Sequence, residues 1–323
     1  MLDIQEEINM IGAIDIGGTK TMTAVLSDAG SIIESRYFPT VSKDWREHFK
    51  ITADAFQRCA QPYLQELVGV GINVPGMADS QKGTLIYAPH QNWKDIPVAE
   101  YFRNAIGIGE VIVENDVNSC AIGEMVFGGG GTDFLWITVS TGNGGAIVAN
   151  GKLIRGVNHC AGEFGHLKVE FEHPRKCTCG QLGCLESQSS GTAIRELFRE
   201  RLMGDSALLA LVQETEAELP DFQRDARGLS ILAERGSETA REIFWTAGRY
   251  LGRAISYGLN LTNPQRVYLG GGVAKSLPLL LPAIREEIRR NAVLGAADVE
   301  IMETKLGYHA ALLGAGALIL QGR

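Results

Sequence analysis

Two stretches of this chain repeat one layout: an apolar strand, a glycine-bearing tip and a second apolar strand. Residues 11–17 and 21–27 are strand-like and flank Gly18, Thr19 and Lys20, while residues 134–139 and 146–148 flank a turn from Thr141 to Gly145. A polypeptide that opens two such hairpins more than a hundred residues apart builds two strand-rich halves. Its 323 residues are long for one core and comfortable for two. Between the hairpins, a buried strand over 67–74 ends at Pro75-Gly76. Another over 110–114 runs straight into Asn115-Asp116, a helical pattern follows from Val117 to Phe127, and four glycines at 128–131 suit a hinge or boundary. Beyond the second hairpin, residues 202–239 read as short helices and loops without chemistry. Residues 240–261 form a long amphipathic helix with Ile243, Ala247, Leu251, Ile255 and Leu259 on one face. A short strand at 267–269, a charged helix at 282–290 and a small apolar tail at 310–320 complete the reading.

Both tips suit an anion. At Gly17, Gly18 and Thr19 no Cβ of the glycines obstructs a phosphate from reaching backbone N–H groups, and Thr19 and Lys20 add a hydroxyl and a positive charge. Asp15, at the strand end just before, is placed to hold Mg²⁺ through water. An ordinary tight hairpin would also use a Gly-Gly turn; the second loop at Thr141-Gly142 argues against coincidence. Neither loop has the spacing of a Walker loop or of a dinucleotide turn. Asp116, leaving a strand beside Asn115, is the candidate general base for an incoming hydroxyl, although an Asp there would also serve as a helix N-cap.

The stretch from Gly162 to Glu186 offers a metal site. His166, Cys177, Cys179 and Cys184 supply one imidazole and three thiolates, the set that a closed structural zinc site takes, with Gly180 and Gly183 turning the chain between them. A disulfide or a chance grouping is the alternative. Clustered cysteines in a protein expected to be cytoplasmic favour the metal. That expectation rests on an acidic N-terminus without signal-peptide character and on the absence of an apolar run near the ~20 residues of a membrane span. With 38 acidic against 30 basic residues and a net charge of -8, the chain advertises no nucleic-acid surface. Cys59, Cys120 and Cys160 read as reduced thiols.

These motifs together resemble the ROK family of bacterial sugar kinases and sugar-responsive repressors. Gly162-Glu-Phe-Gly-His166 and Cys177-Thr-Cys-Gly-Gln-Leu-Gly-Cys-Leu-Glu186 match its zinc-knuckle pattern at every specified position. Asp15 to Lys20 is similar to its first phosphate loop, Val113 to Asp116 with Asn118 to its catalytic segment, and Thr141, Gly142 and Gly144 lie in its second phosphate loop. Asn263-Pro264 leading to Gly271 and Gly272 is similar to its adenosine segment. The resemblance implies an α/β chain of the two-domain actin-like, hexokinase-like ATPase fold, with ribonuclease H-like halves and a zinc knuckle. The first domain would span 1–130 with the tail 308–323 packed back on it, and the second 131–307.

It further implies ATP, Mg²⁺ and Zn²⁺, a hexose held by Gly76, Asn92, Asn115, Asp116, Glu163, His166 and Glu186, and a homodimer or homotetramer. His166 would bind zinc with one ring nitrogen and the sugar with the other. Glu186 taken alone reads as a solvated surface charge. Four positions depart from the family pattern: His90 and Gln91 replace the usual Asn and Leu, and Asn143 and Ala146 alter the second loop. The expected activity is transfer of the ATP γ-phosphoryl group to a hexose, glucose first, with N-acetylmannosamine, fructose or allose as alternatives. A DNA-binding repressor would carry a winged helix-turn-helix ahead of Asp15, where this sequence has fourteen residues. A filament or chaperone ATPase would lack the cysteines.

Overall fold

The computed structural model describes residues 9–40 and 43–321, and these divide into two compact units. The first gathers the described residues up to Thr132 with residues 155–161 and 305 onward; the second holds residues 133–154 and 162–304. The segment 155–161 lies inside the stretch expected for the second domain yet clusters with the first unit. Arg155 Nε meets the buried Glu114 carboxylate there at 2.7 Å, and His159 faces Asp79.

The first unit is a five-stranded sheet of β1 (Met10–Ile16), β2 (Lys20–Ser27), β3 (Ile32–Pro39), β4 (Leu67–Val74) and β8 (Val111–Asn115), in the order β3-β2-β1-β4-β8. The hairpin strands run antiparallel, whereas β4 and β8 join β1 in parallel. A small antiparallel sheet of β5 (Met77–Asp79), β6 (Thr84–Ala88) and β7 (Trp93–Ile96) precedes β8. Alternation along β1 feeds two cores. Met10, Ile14 and Ile16 pack with Phe49, Phe56 and Phe102 of the helices Trp45–Ala60 and Val98–Ile106. Ile11 and Ala13 pack with Leu312, Ala315 and Ile319 of the helix Ala310–Leu320.

The second unit repeats the order. The strands β9 (Phe134–Val139), β10 (Asn143–Ala149), β11 (Lys152–Ile154), β12 (Arg266–Gly270) and β13 (Glu300–Glu303) form the sheet β11-β10-β9-β12-β13, with the hairpin antiparallel and the last two strands parallel. Leu135, Ile137 and Val139 join the core built by the helix Glu238–Thr262. Two boundaries differ from the sequence reading. Ladder pairing continues to Asn143, opposite Val139, so the second tip is shorter than residues 141–145 and Gly144 lies within β10 opposite Thr138. The charged helix begins at Leu277, with Pro278 in its first turn, where a missing N–H costs nothing; Pro282 lies inside it.

The helix Asp116–Gly123, continued by a π-helical turn over Glu124–Gly128, is held against the C-terminal helix at backbone distance. A Cβ on Gly314 would lie 2.2 Å from Ser119 O, and one on Gly71 of β4 would lie 1.7 Å from Ala315 O. Gly314→Ala therefore sets a helix-propensity gain of about 1 kcal/mol against overpacking on rigid backbone, which costs about 1–3 kcal/mol. Urea denaturation should find the variant net destabilised; a gain in midpoint would show that the contact relaxes freely.

Candidate active site

In the first unit, the tip between β1 and β2 has its carbonyls turned inward. Thr40 Oγ1 donates to Gly17 O at 2.9 Å, Gln91 Nε2 to Gly18 O at 3.3 Å, and Thr40 N–H to Thr19 O at 2.9 Å. Because a trans peptide points its C=O and N–H in opposite directions, these bonds turn the N–H groups of Gly18, Thr19 and Lys20 away from the protein side. The N–H groups of Gly18 and Thr19 donate to no described residue. Beneath the loop, Thr21 Oγ1 lies 2.9 Å from both Thr40 Oγ1 and His48 Nε2, and burial lowers the pKa of His48, keeping the imidazole neutral. Lys20 Nζ donates to Tyr308 OH at 2.6 Å and lies 3.9 Å from its ring centroid.

Asp116 begins its helix, but the cap is Asn115, whose Oδ1 accepts from the N–H groups of Val117 and Asn118. Asn115 Nδ2 donates to Gly76 O at 2.8 Å and to Asp116 Oδ1 at 2.9 Å, so all four hydrogen-bonding positions of the amide are engaged within the protein. Glu114 braces the same turn from below, accepting from Asn115 N–H and Asn118 Nδ2 while paired with Arg155. Burial, with Asp15 nearby, pushes the Asp116 carboxyl up to about 7. Asp15 is itself raised to about 6 by burial, against the Asn73 hydrogen bond and the Lys20 charge that lower it. Two carboxylates with upward shifts in one place are the pattern of a proton-transfer or cation site. Asn92 holds left-handed backbone, with φ 57°, in the turn between β6 and β7.

In the second unit, the tip is built by the same rule. Ser140 O accepts from Gly191 N–H at 2.7 Å, Thr141 O from Thr192 Oγ1 at 2.9 Å, and Gly142 O from Ser140 N–H at 2.9 Å. A Cβ on Gly142 would lie 2.4 Å from Glu186 Oε2, which also accepts from Asn143 N–H. Glu186 is therefore half-buried and bridging: its Oε1 takes the Thr178 hydroxyl at 2.8 Å and faces Cys177 Sγ at 3.7 Å. The surface-charge reading of this residue gives way to those contacts.

One ligand atom from each of His166, Cys177, Cys179 and Cys184 lies within 4.8 Å of the others, close enough to hold a metal ion. The Cys179 and Cys184 sulfurs are 3.7 Å apart, far from a bonded pair, and Lys168 Nζ lies 2.9 Å from Cys184 Sγ. His166 Nδ1 faces Cys177 Sγ at 3.8 Å and Nε2 faces Glu163 at 4.0 Å. Burial raises the Glu163 carboxyl, with His166 lowering it and Glu186 raising it.

A cavity of about 730 Å³ adjoins this tip, lined by Ser140, Thr141, Thr192, Gly272, Val273 and Ser276, with Gly271 at φ 90° turning the chain into it. Arg195, Arg227, Ser230 and Lys275 line it too. None of these four is marked by the sequence, and two of them, Arg227 and Ser230, lie within residues 202–239, where Asp225 caps the helix Ala226–Glu234 whose first turn borders the cavity. Isolated arginines in polar segments carry no spacing signal, and only the fold brings them together.

The model of the ROK family matches residues 11–322. The glucokinase of Halalkalibacterium halodurans is 33% identical over 320 residues, covering 95% of this chain and 94% of that protein. The xylose repressor of Bacillus subtilis is 31% identical over 335 residues, covering 99% of this chain and 79% of the repressor. Among solved structures, a ROK family glucokinase from Streptomyces griseus in complex with glucose and AMPPNP superposes with a TM-score of 0.81 at 29% identity, covering 98% of this chain and 100% of that one. With the family match running through both sheets and both tips, this chain belongs to the ROK family.

Proposed function

We propose that the chain is a hexose kinase of the actin-like, hexokinase-like fold that moves the γ-phosphoryl group of ATP to a hexose hydroxyl, with glucose the foremost substrate. The observation that carries the reading is Asp116: with the helix capped by Asn115, its carboxylate accepts at Oδ1 from Asn115 Nδ2 and Val117 N–H and is raised by burial to about 7. A base with a pKa near the working pH takes a hydroxyl proton most effectively. The hexose oxygen attacks the γ-phosphorus, its proton passes to Asp116, and the bond to the ADP oxygen breaks. The protein's work is otherwise positioning. The N–H groups of the two tips receive phosphate oxygens, and the cavity beside Thr141 takes the adenosine end. Asp15 orients Mg²⁺ carried with the nucleotide. Asn115 acts on the sugar through Asp116, since its own amide is saturated, while Gly76, Asn92, Glu163, His166 and Glu186 complete the hexose site.

His166, Cys177, Cys179 and Cys184 fit zinc: a tetrahedron of thiolates at about 2.3 Å has edges of about 3.8 Å, close to the 3.7 Å between Cys179 and Cys184. The ion would be a structural organiser, holding Glu186 between the cysteines and the second tip. The sensor reading is favoured by the match to the xylose repressor; it shares the sugar site and differs in turnover.

Steady-state assays with ATP and Mg²⁺ across glucose, mannose, fructose, allose, N-acetylglucosamine and N-acetylmannosamine should place glucose first in kcat/KM. Another sugar ahead by tenfold would move the chain to a sister activity, and no turnover with any would leave a sensor.

Asp116→Asn should lower kcat by about 10² or more while hexose affinity stays within a few-fold. The kcat/KM of the unsubstituted enzyme should fall below an inflection near pH 7, where Asp116 takes up its proton. Since folding raises this carboxyl from 3.8, the stability linked to it is complete below that pH and is lost as pH rises through about 7. Asp116→Asn should therefore melt above the parent at pH 8, and by a smaller margin at pH 5. Near-parental turnover would remove Asp116 from the base role.

Metal analysis of protein purified without added metal should find about one zinc per chain. Cys179→Ser should lose it together with hexose binding; full activity in a metal-free preparation would overturn the assignment.

A further inference from the structure

The side chain of Gln91 has no part in the chemistry above, yet it reaches the first phosphate tip. Gln91 lies in the turn between β6 and β7, 8% exposed, with Nε2 3.3 Å from Gly18 O. Its Oε1 is enclosed and meets no donor among the described residues, so the bond to Gly18 alone engages the amide. That carbonyl belongs to the peptide whose other end is the N–H of Thr19, and holding one inward holds the other outward. The same turn reaches the tip by a second route. Trp93 follows Asn92, its ring 5.8 Å from that of His48, and His48 continues through Thr21 and Thr40 to Gly17 O. Two successive carbonyls of one tip are thus steered from one neighbouring hairpin, which also carries Asn92.

We propose that Gln91 is a positioning residue that keeps the Gly18–Thr19 peptide turned to receive nucleotide phosphate and links that peptide to hexose occupancy of the residue 89–92 turn. The inference rests on the kinase reading. Displacement of the turn by a hexose hydroxyl shifts the Gln91 amide, and with it the orientation of the Thr19 N–H. Nucleotide affinity then depends on whether sugar is bound.

The test uses the full chain and isothermal titration of AMPPNP with Mg²⁺, with and without glucose. Gln91→Met matches the side chain in length and lacks the donor; Gln91→Asn keeps the amide but falls short of Gly18, and serves if the first variant does not fold. Loss of one such bond should weaken AMPPNP binding in the absence of sugar by about three- to tenfold. Glucose affinity alone should stay within about twofold and the melting temperature close to the parent's. The factor by which glucose changes AMPPNP affinity should contract toward one. Parental AMPPNP affinity in a folded variant overturns the proposal while the kinase reading stands. A joint fall in melting temperature and in both affinities assigns Gln91 a structural role and overturns it too. If the parent chain itself fails to bind AMPPNP, the kinase reading falls and takes the proposal with it.

Discussion

The direction of a handful of backbone carbonyls governs the rest of this molecule. In the proposed kinase phosphate would be received by N–H groups, and an N–H faces outward when the carbonyl of the preceding residue finds a partner on the protein side. In the first tip the partners are Thr40 and Gln91, and in the second Gly191 and Thr192 hold the carbonyls of Ser140 and Thr141, while the N–H that follows Gly142 is taken by Glu186. Unlike residues from unlike elements meet the same requirement, so each unit reaches one electrostatic result by its own packing.

Charge around each tip follows from that arrangement. Positive N–H ends tolerate acids nearby, and each unit places them there: Asp15 and Asp116 in the first, the exposed Glu163 and half-buried Glu186 in the second. Their upward shifts, where resolved, trace to burial first. A protein rarely keeps carboxylates in that condition for stability, since ionised acids out of water cost free energy that folding must offset. Glu287 offers the contrast: a buried carboxylate met by Arg249 and Arg253, serving helix packing alone.

Much of this was legible in the residues. Alternating apolar runs broken by glycine located both hairpins, the first within one residue, and the strand Leu67–Val74 at its observed bounds, and a four-residue period located the long helix within two. The Cys and His spacing located a cluster that the fold does assemble. Residues 28–66 show no strand or helix by pattern, because a solvent-facing strand such as β3 and a helix whose buried face includes His48 and Thr52 blur the apolar period. Arg195, Arg227 and Lys275 were invisible for another reason: a cavity lined by three separate helical segments has no linear signature. The roles of Gln91, Glu114 and Arg155 depend on which atom each reaches, a property of tertiary contact alone.

The helix Ala310–Leu320 covers the face of β1 and β2 that carries Ile11, Ala13, Ala24 and Leu26, and in chain order it comes after the whole second unit. On a ribosome adding about 5–20 residues each second, the first sheet waits with that face bare while the whole second unit emerges, roughly 10–40 s. The second unit is free to fold in the interval, closing upon its own later strands. The order of folding would then run against the order of synthesis for the half that holds Asp116, and a chaperone that shields apolar sheet would find its substrate in the nascent amino-terminal part.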